Sequence, residues 1–159
     1  MSFAVRPAVP TDAAAIHGLI EALAVYEKLQ DRMVATEADT AAALFGADAH
    51  VFADIAEADG KVVGMSVWFL EYSTFLGRAG IYLEDLFVLP EYRGRGIATD
   101  LMRALARRCA ERGYGRLKWQ VLDWNAPAIA AYERMGAAID TTWHTCVLER
   151  AGIAAMAGA

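Results

Sequence analysis

Residues 82–98, YLEDLFVLPEYRGRGIA, read as a strand that passes through a glycine-containing turn into a helix. Ile81, Leu83, Leu86, Phe87 and Val88 supply the apolar residues that a buried strand needs. Their alternation breaks at Glu84-Asp85, two adjacent carboxylates inside an otherwise apolar run. Pro90 lacks a backbone donor and ends the strand. Arg93-Gly94-Arg95-Gly96-Ile97-Ala98 follows, and then a helix. The first turn of a helix has free N–H groups and the positive end of the helix dipole, so this junction suits an anion. Gly94 and Gly96 leave room for a ligand's phosphates to approach the backbone. Arg93 and Arg95 add guanidinium forks suited to phosphate.

Two common phosphate loops do not fit. A P-loop needs a Lys directly after its second glycine, and Ile97 follows Gly96. A dinucleotide fingerprint needs a third glycine where this chain has Thr99. Arg93-x-x-Gly96-x-Ala98 instead resembles the R/Q-x-x-G-x-G/A acetyl-CoA loop of the Gcn5-related N-acetyltransferase (GNAT) superfamily. The preceding Leu86-Phe87-Val88 resembles that family's central strand. The resemblance implies acetyl-CoA (coenzyme A) as co-substrate, with no metal.

The 159 residues suit one domain with a sizeable core. Apolar residues make up 57% and charged ones 22%, which is globular and not disordered. A net charge of −5 argues against a nucleic-acid partner and is compatible with a cationic substrate. Cys109 and Cys146 form no CxxC, and His17, His50 and His144 are scattered, so no zinc pattern or disulfide framework follows. Both cysteines read as packing residues. No apolar run is long enough to span a membrane, and no signal peptide is read in MSFAVRPAVP, so a cytoplasmic protein is expected.

Working outward from the central stretch, a short strand at 3–6 precedes a helix that Thr11 or Asp12 can cap and that runs to about residue 29. Thr36 and Asp39 form a capping box for a helix at 37–45. Strands at 50–57 and 61–71 flank the hairpin signal Asp59-Gly60. After the central strand and a helix over 96–112 come a strand at 116–122 and a short helix over 127–134. Residues 138–149 are expected to hold one or two more strands. The fold class is therefore α/β, with a mixed, mostly antiparallel sheet of six to seven strands and helices on both faces. One domain over 1–150 and a frayed tail at 151–159 are expected.

Four stretches, two of them within the central one, resemble the spermidine/spermine (diamine) and thialysine N-acetyltransferase branch of that superfamily. They are LAVYE at 23–27, YLEDLFV at 82–88, YRGRGI at 92–97 and WNAPAIAAY at 124–132. The branch is known for homodimers that acetylate primary amines such as polyamines, diamines and lysine-like amino acids. The resemblance implies that Leu86, Phe87 and Val88 pair with the pantetheine arm. It implies that Arg93, Gly94, Arg95, Gly96, Ile97, Ala98 and Thr99 hold the pyrophosphate, and that Asn125, Ala126, Pro127 and Ala128 contact the cofactor arm. Tyr26, Glu27 and Glu84 would face the amine, and Tyr132 would sit near the thioester sulfur. Met135 departs from the basic residue often found in the family.

The residues suit the chemistry. An alkylammonium titrates near ~10.4 and must lose its proton to attack, so a carboxylate base is needed, and Glu84 is the candidate. Asp85 is expected on the opposite face of the pleat, as a hydrogen-bond partner, unless a bulge intervenes. A tyrosine can return a proton to the departing thiolate, and Tyr132 is the candidate. Tyr26 and Glu27 read either as an aromatic and carboxylate site for a cation or as a surface pair beside Lys28. Acetylation of a protein amine, and a non-catalytic acyl-CoA sensor, are the competing functional readings.

Overall fold

The computed structural model describes residues 2–158. The chain divides into two compact units, the first running to Gln120 and the second beginning at Val121. Each is described on its own.

The first unit is built on a sheet of five strands in the order β1-β2-β3-β4-β5. These are β1 (Ala4–Pro7), β2 (Phe52–Ala58), β3 (Lys61–Ser73), β4 (Arg78–Val88) and β5 (Leu117–Trp119). The first four pair antiparallel, and β5 joins β4 in parallel through Ile81↔Leu117 to Leu83↔Trp119. Asp59 and Gly60, with φ of 52° and 75°, make the tight β2–β3 turn that their sequence signals. The expected six to seven strands are thus corrected to five. Residues 138–149 form no strand, and Trp143 and Val147 are exposed there. Without a buried face or a cross-strand partner, apolar residues do not hold an extended segment in a sheet. The strand expected to reach residue 122 also stops at Trp119.

Helices α1 (Ala13–Tyr26) and α2 (Glu37–Phe45) cover one face of the sheet. Ile16, Leu19 and Leu23 of α1 recur at helical spacing and pack on Ile55, Met65, Val67 and Phe87. Thr36 caps α2 as its sequence predicts, accepting from the Asp39 N–H at 3.2 Å while Asp39 accepts from the Thr36 N–H at 2.8 Å. Helix α3 (Ile97–Arg112) covers the other face with Ile97, Leu101, Met102, Leu105 and Cys109. Beneath α3 lies Asp54, 2% exposed. It accepts both guanidinium nitrogens of Arg108, at 2.9 and 3.0 Å, and the Trp68 indole at 3.0 Å. That network ties α3 to the middle of the sheet.

The second unit holds α4 (Ala126–Arg134) and α5 (Arg150–Ala157). The tail expected to fray is therefore largely helical: it is rich in Ala, and Gly158 closes α5 in the left-handed conformation. Cys109 is buried, as its place on the apolar face of α3 requires, whereas Cys146 is exposed, contrary to its reading as core. Among the described residues, no helix is long and apolar enough to cross a membrane.

Candidate active site

The central strand carries an irregularity that decides what its carboxylates face. Val67 of β3 pairs with Asp85, and the next residue, Trp68, pairs with Leu83. Glu84 is therefore an extra residue with no partner across the ladder: a β-bulge. Before it, Ile81 and Leu83 pack under α3. After it, Val88 packs under α3 and Phe87 packs under α1. Strict alternation from Leu83 would have put Asp85 into the apolar layer beneath α3. The bulge turns Asp85 instead onto the α1 face, the side of Phe87, and leaves Glu84 exposed.

On that side Asp85 feels the charge of Glu27, the residue that follows α1. Burial, with the charges of Glu84 and Glu27, pushes the Asp85 carboxyl up to about 7. Burial also raises Glu27. None of these three carboxylates takes part in an ion pair among the described residues. Tyr82 stands on the same face, stacked on Phe69 with ring centres 5.0 Å apart. Its phenol is raised by burial and by the charges of Glu84 and Glu71. This is a half-buried cluster of carboxylates walled by aromatic rings. It brings together the predicted Glu27 and Glu84, and adds Asp85. The sequence did show two acids side by side in an apolar strand, but the bulge that re-aims the second had no local signature.

Residues 85–88 of β4 pair with β3 on one edge only, because β5 reaches no further than Leu83. Among the described residues no strand continues the sheet beside Leu86, Phe87 and Val88. Their open edge gives way to a turn of 3-10 helix, Pro90–Tyr92, and then to the loop of Arg93 to Gly96. Gly94 and Gly96 have φ of 73° and 85°, a left-handed conformation that side chains oppose. A methyl group at either would meet nothing within 4 Å, so the space over the loop is open. Gly96 begins α3 and no side chain caps the helix there. The N–H groups of Ile97, Ala98 and Thr99 form its uncapped first turn, as an anion site needs.

The two arginines rest on groups of the protein itself. The Arg93 Nε donates to the Val88 carbonyl at 2.9 Å. Its guanidinium lies over the rings of Tyr26, at 4.7 Å, and Phe87, at 5.3 Å. Arg95 donates to the Glu91 carbonyl at 3.1 Å and lies 5.6 Å from the Tyr92 ring centre. Both forks thus engage the loop's own surroundings, and the backbone of 94–99 is the more open anion surface. Tyr26, read as an aromatic face for a cation, does hold one, but it is the protein's own Arg93.

In the second unit, Asn125 is buried and caps α4 by accepting from the Ala128 N–H at 3.4 Å. Ala126, Pro127 and Ala128 form the first turn, where Pro127 needs no donor. Tyr132 lies near the helix end, and its carbonyl accepts from Met135 and Ala137 at 3.0 and 3.1 Å.

Residues 15–137 match the model of the Acetyltransferase (GNAT) family. The thialysine N-epsilon-acetyltransferase of Bos taurus is 36% identical over 165 residues, covering 97% of this chain and 96% of that protein. The L-ornithine N5-acetyltransferase of Arabidopsis thaliana is 31% identical over 189 residues, covering 91% of this chain and 83% of that protein. Among solved structures, an integron cassette protein from the mobile metagenome of V. cholerae superposes with a TM-score of 0.82 at 25% identity. The match covers 100% of this chain and 99% of that one.

Proposed function

This chain belongs to the GNAT acetyltransferase family, and from that premise we propose that it moves the acetyl group of acetyl-CoA to a primary amine of a small cationic acceptor. The acceptor class is a polyamine, a diamine or a lysine-like amino acid. The observation that carries this reading is the patch of Glu27, Glu84 and Asp85, with burial and two neighbouring charges acting on Asp85. Clustered carboxylates of this kind favour an ammonium ligand, and a second ammonium on the same ligand more so. The relatives named for thialysine and ornithine support the same class.

GNAT enzymes use acetyl-CoA. In this reading the open edge of Leu86, Phe87 and Val88 pairs with the pantetheine amides. The uncapped start of α3, with Gly94 and Gly96, takes the pyrophosphate. Arg93 and Arg95 hold that loop in shape. Asn125, Ala126, Pro127 and Ala128 contact the cofactor arm. The backbone N–H groups beside the bulge are candidates for stabilising the oxyanion as the amine nitrogen attacks the thioester carbon.

Asp85 or Glu84 accepts the ammonium proton, directly or through water, and burial with the charges of Glu84 and Glu27 brings the Asp85 carboxyl up to about 7, near neutral pH. The nitrogen–carbon bond forms, the carbon–sulfur bond breaks, and Tyr132 returns a proton to the thiolate. Transfer is direct, within a ternary complex and without a metal. A homodimer follows the family resemblance.

The test is CoA thiol release across spermidine, putrescine, ornithine, lysine, thialysine, butylamine and a basic peptide. Fast release with small dications and slow release with butylamine supports the reading. Release only with the peptide moves the function to a protein acceptor. Tight acetyl-CoA binding with no release for any amine overturns it in favour of a sensor.

A further inference from the structure

The sheet face that carries Asp85 continues within the first unit over Tyr82, Phe69, Glu71 and Lys118. Leu117 and Trp119 of β5 pack under α3, as Ile81 and Leu83 of β4 do, so Lys118 and Tyr82 share the opposite face. Lys118 stands beside Tyr82 in register, with its Nζ 5.6 Å from the ring centre. Glu71 of β3 reaches the same place. Its Oε1 accepts from the Arg116 Nε, which fixes it, and its Oε2 lies 3.7 Å from the Lys118 Nζ. That separation is an ion pair without a hydrogen bond, and the Lys118 side chain is 50% exposed. The face therefore has two poles. Glu27, Glu84 and Asp85 form one, and at the other two cations, Lys118 and Arg116, meet one carboxylate. Tyr82 lies between them and feels the charges of both Glu84 and Glu71. It is three residues from Asp85, roughly 10 Å along a strand.

Within the acetyl-transfer reading above, we propose that Lys118 and Glu71 form a subsite for the head group of an α-amino acid, so that the preferred acceptor is a basic amino acid of ornithine or lysine length and not a diamine. Such a head group carries a carboxylate and an ammonium side by side. The Lys118 ammonium takes the carboxylate, Glu71 takes the α-ammonium, and the Tyr82 ring offers that ammonium its face. The loose Glu71–Lys118 pair is exchanged for two charge-assisted contacts, and giving up an exposed ion pair costs little. An extended ornithine or lysine, with its contacts at both ends, spans about the distance between the poles. Its terminal amine then lies at Glu84 and Asp85, beside the open edge of Leu86 to Val88. A diamine of the same length satisfies one pole only, because at the other it brings a second ammonium against Lys118 with no carboxylate to offset it.

Ornithine differs from putrescine by its carboxylate alone, as lysine does from cadaverine, so each pair reads that one contact. The experiment measures kcat/KM for all four with acetyl-CoA, in the unaltered protein, Lys118→Met and Lys118→Arg, and locates the acetyl group in each product by NMR. The unaltered protein favours each amino acid over its diamine by about tenfold and acetylates the terminal nitrogen. Lys118→Met keeps the aliphatic stem and drops the charge. It lowers kcat/KM for both amino acids by about tenfold, while the diamines stay within about twofold or improve. Lys118→Arg keeps most of the preference, because the charge remains. Thermal melts of each variant establish that it folds. A preference for the diamines in the unaltered protein overturns the subsite, as does acetylation of the α-nitrogen. So does a folded Lys118→Met that keeps the full preference or loses both members of each pair in parallel. In all of these the acetyl-transfer function stands. If no amine reacts at all, the functional reading fails and the subsite with it.

Discussion

Asp85 is the residue whose environment says most about the chemistry. Its carboxyl is raised to about 7 from 3.8 by burial, Glu84 and Glu27. Between those values the folded protein holds a proton that the unfolded chain has released, so this group's contribution to stability falls as pH rises through that window. A bound cation acts in the opposite sense, because it favours the ionised carboxylate. Amine affinity and turnover should therefore rise by roughly tenfold from pH 6 to pH 8, while the amine itself stays protonated. Asp85→Asn should flatten that limb, seen as a kcat/KM profile that no longer climbs across neutrality. A profile unchanged in Asp85→Asn would move the titration to another group. Tyr132→Phe belongs to the same scale: kcat should fall by 10²-fold or more, with acetyl-CoA affinity kept, if the phenol protonates the thiolate.

At the scale of elements, α3 carries both an anion site and a clamp. Its start depends on Gly96, at φ 85° with no side-chain cap. Gly96→Ala should cost about 1–2 kcal/mol from left-handed strain, read as a lowered melting temperature, together with weakened CoA binding. Its far half is held by Arg108 on buried Asp54. Arg108→Ala should cost about 3–5 kcal/mol in urea unfolding, because it leaves Asp54 buried and uncompensated. Replacing both, as Asp54→Leu with Arg108→Met, should restore much of that loss. Most elements were legible because they are local. The spacing of Ile97, Leu101, Leu105 and Cys109 gives α3, Thr36 and Asp39 give the start of α2, and Asp59-Gly60 gives the hairpin. The bulge at Glu84 was not, since register is a property of two strands and the core faces they share. Where the Arg93 side chain lies was hidden for a related reason. Its loop position suggested phosphate, but its contacts come from a helix end sixty-odd residues earlier in the chain.

At the scale of the molecule, the six-to-seven-strand expectation failed where the chain offers no buried face, over residues 138–149. The family was nevertheless readable from one strand, loop and helix junction, because a short backbone motif there constrains a large part of the fold. A net charge of −5 adds a general attraction for cationic acceptors, and added salt should raise the KM for spermidine more than that for ornithine. Direct transfer to a small dication is tested most directly by product mass. The protein is mixed with acetyl-CoA labelled with carbon-13 in the acetyl group and with putrescine, and the products are followed by mass spectrometry. The expected result is singly acetylated, labelled putrescine in step with one CoA thiol, and no label on the protein. Thiol release without acetylated putrescine or any other acetylated small amine, or label retained on the protein, would contradict it.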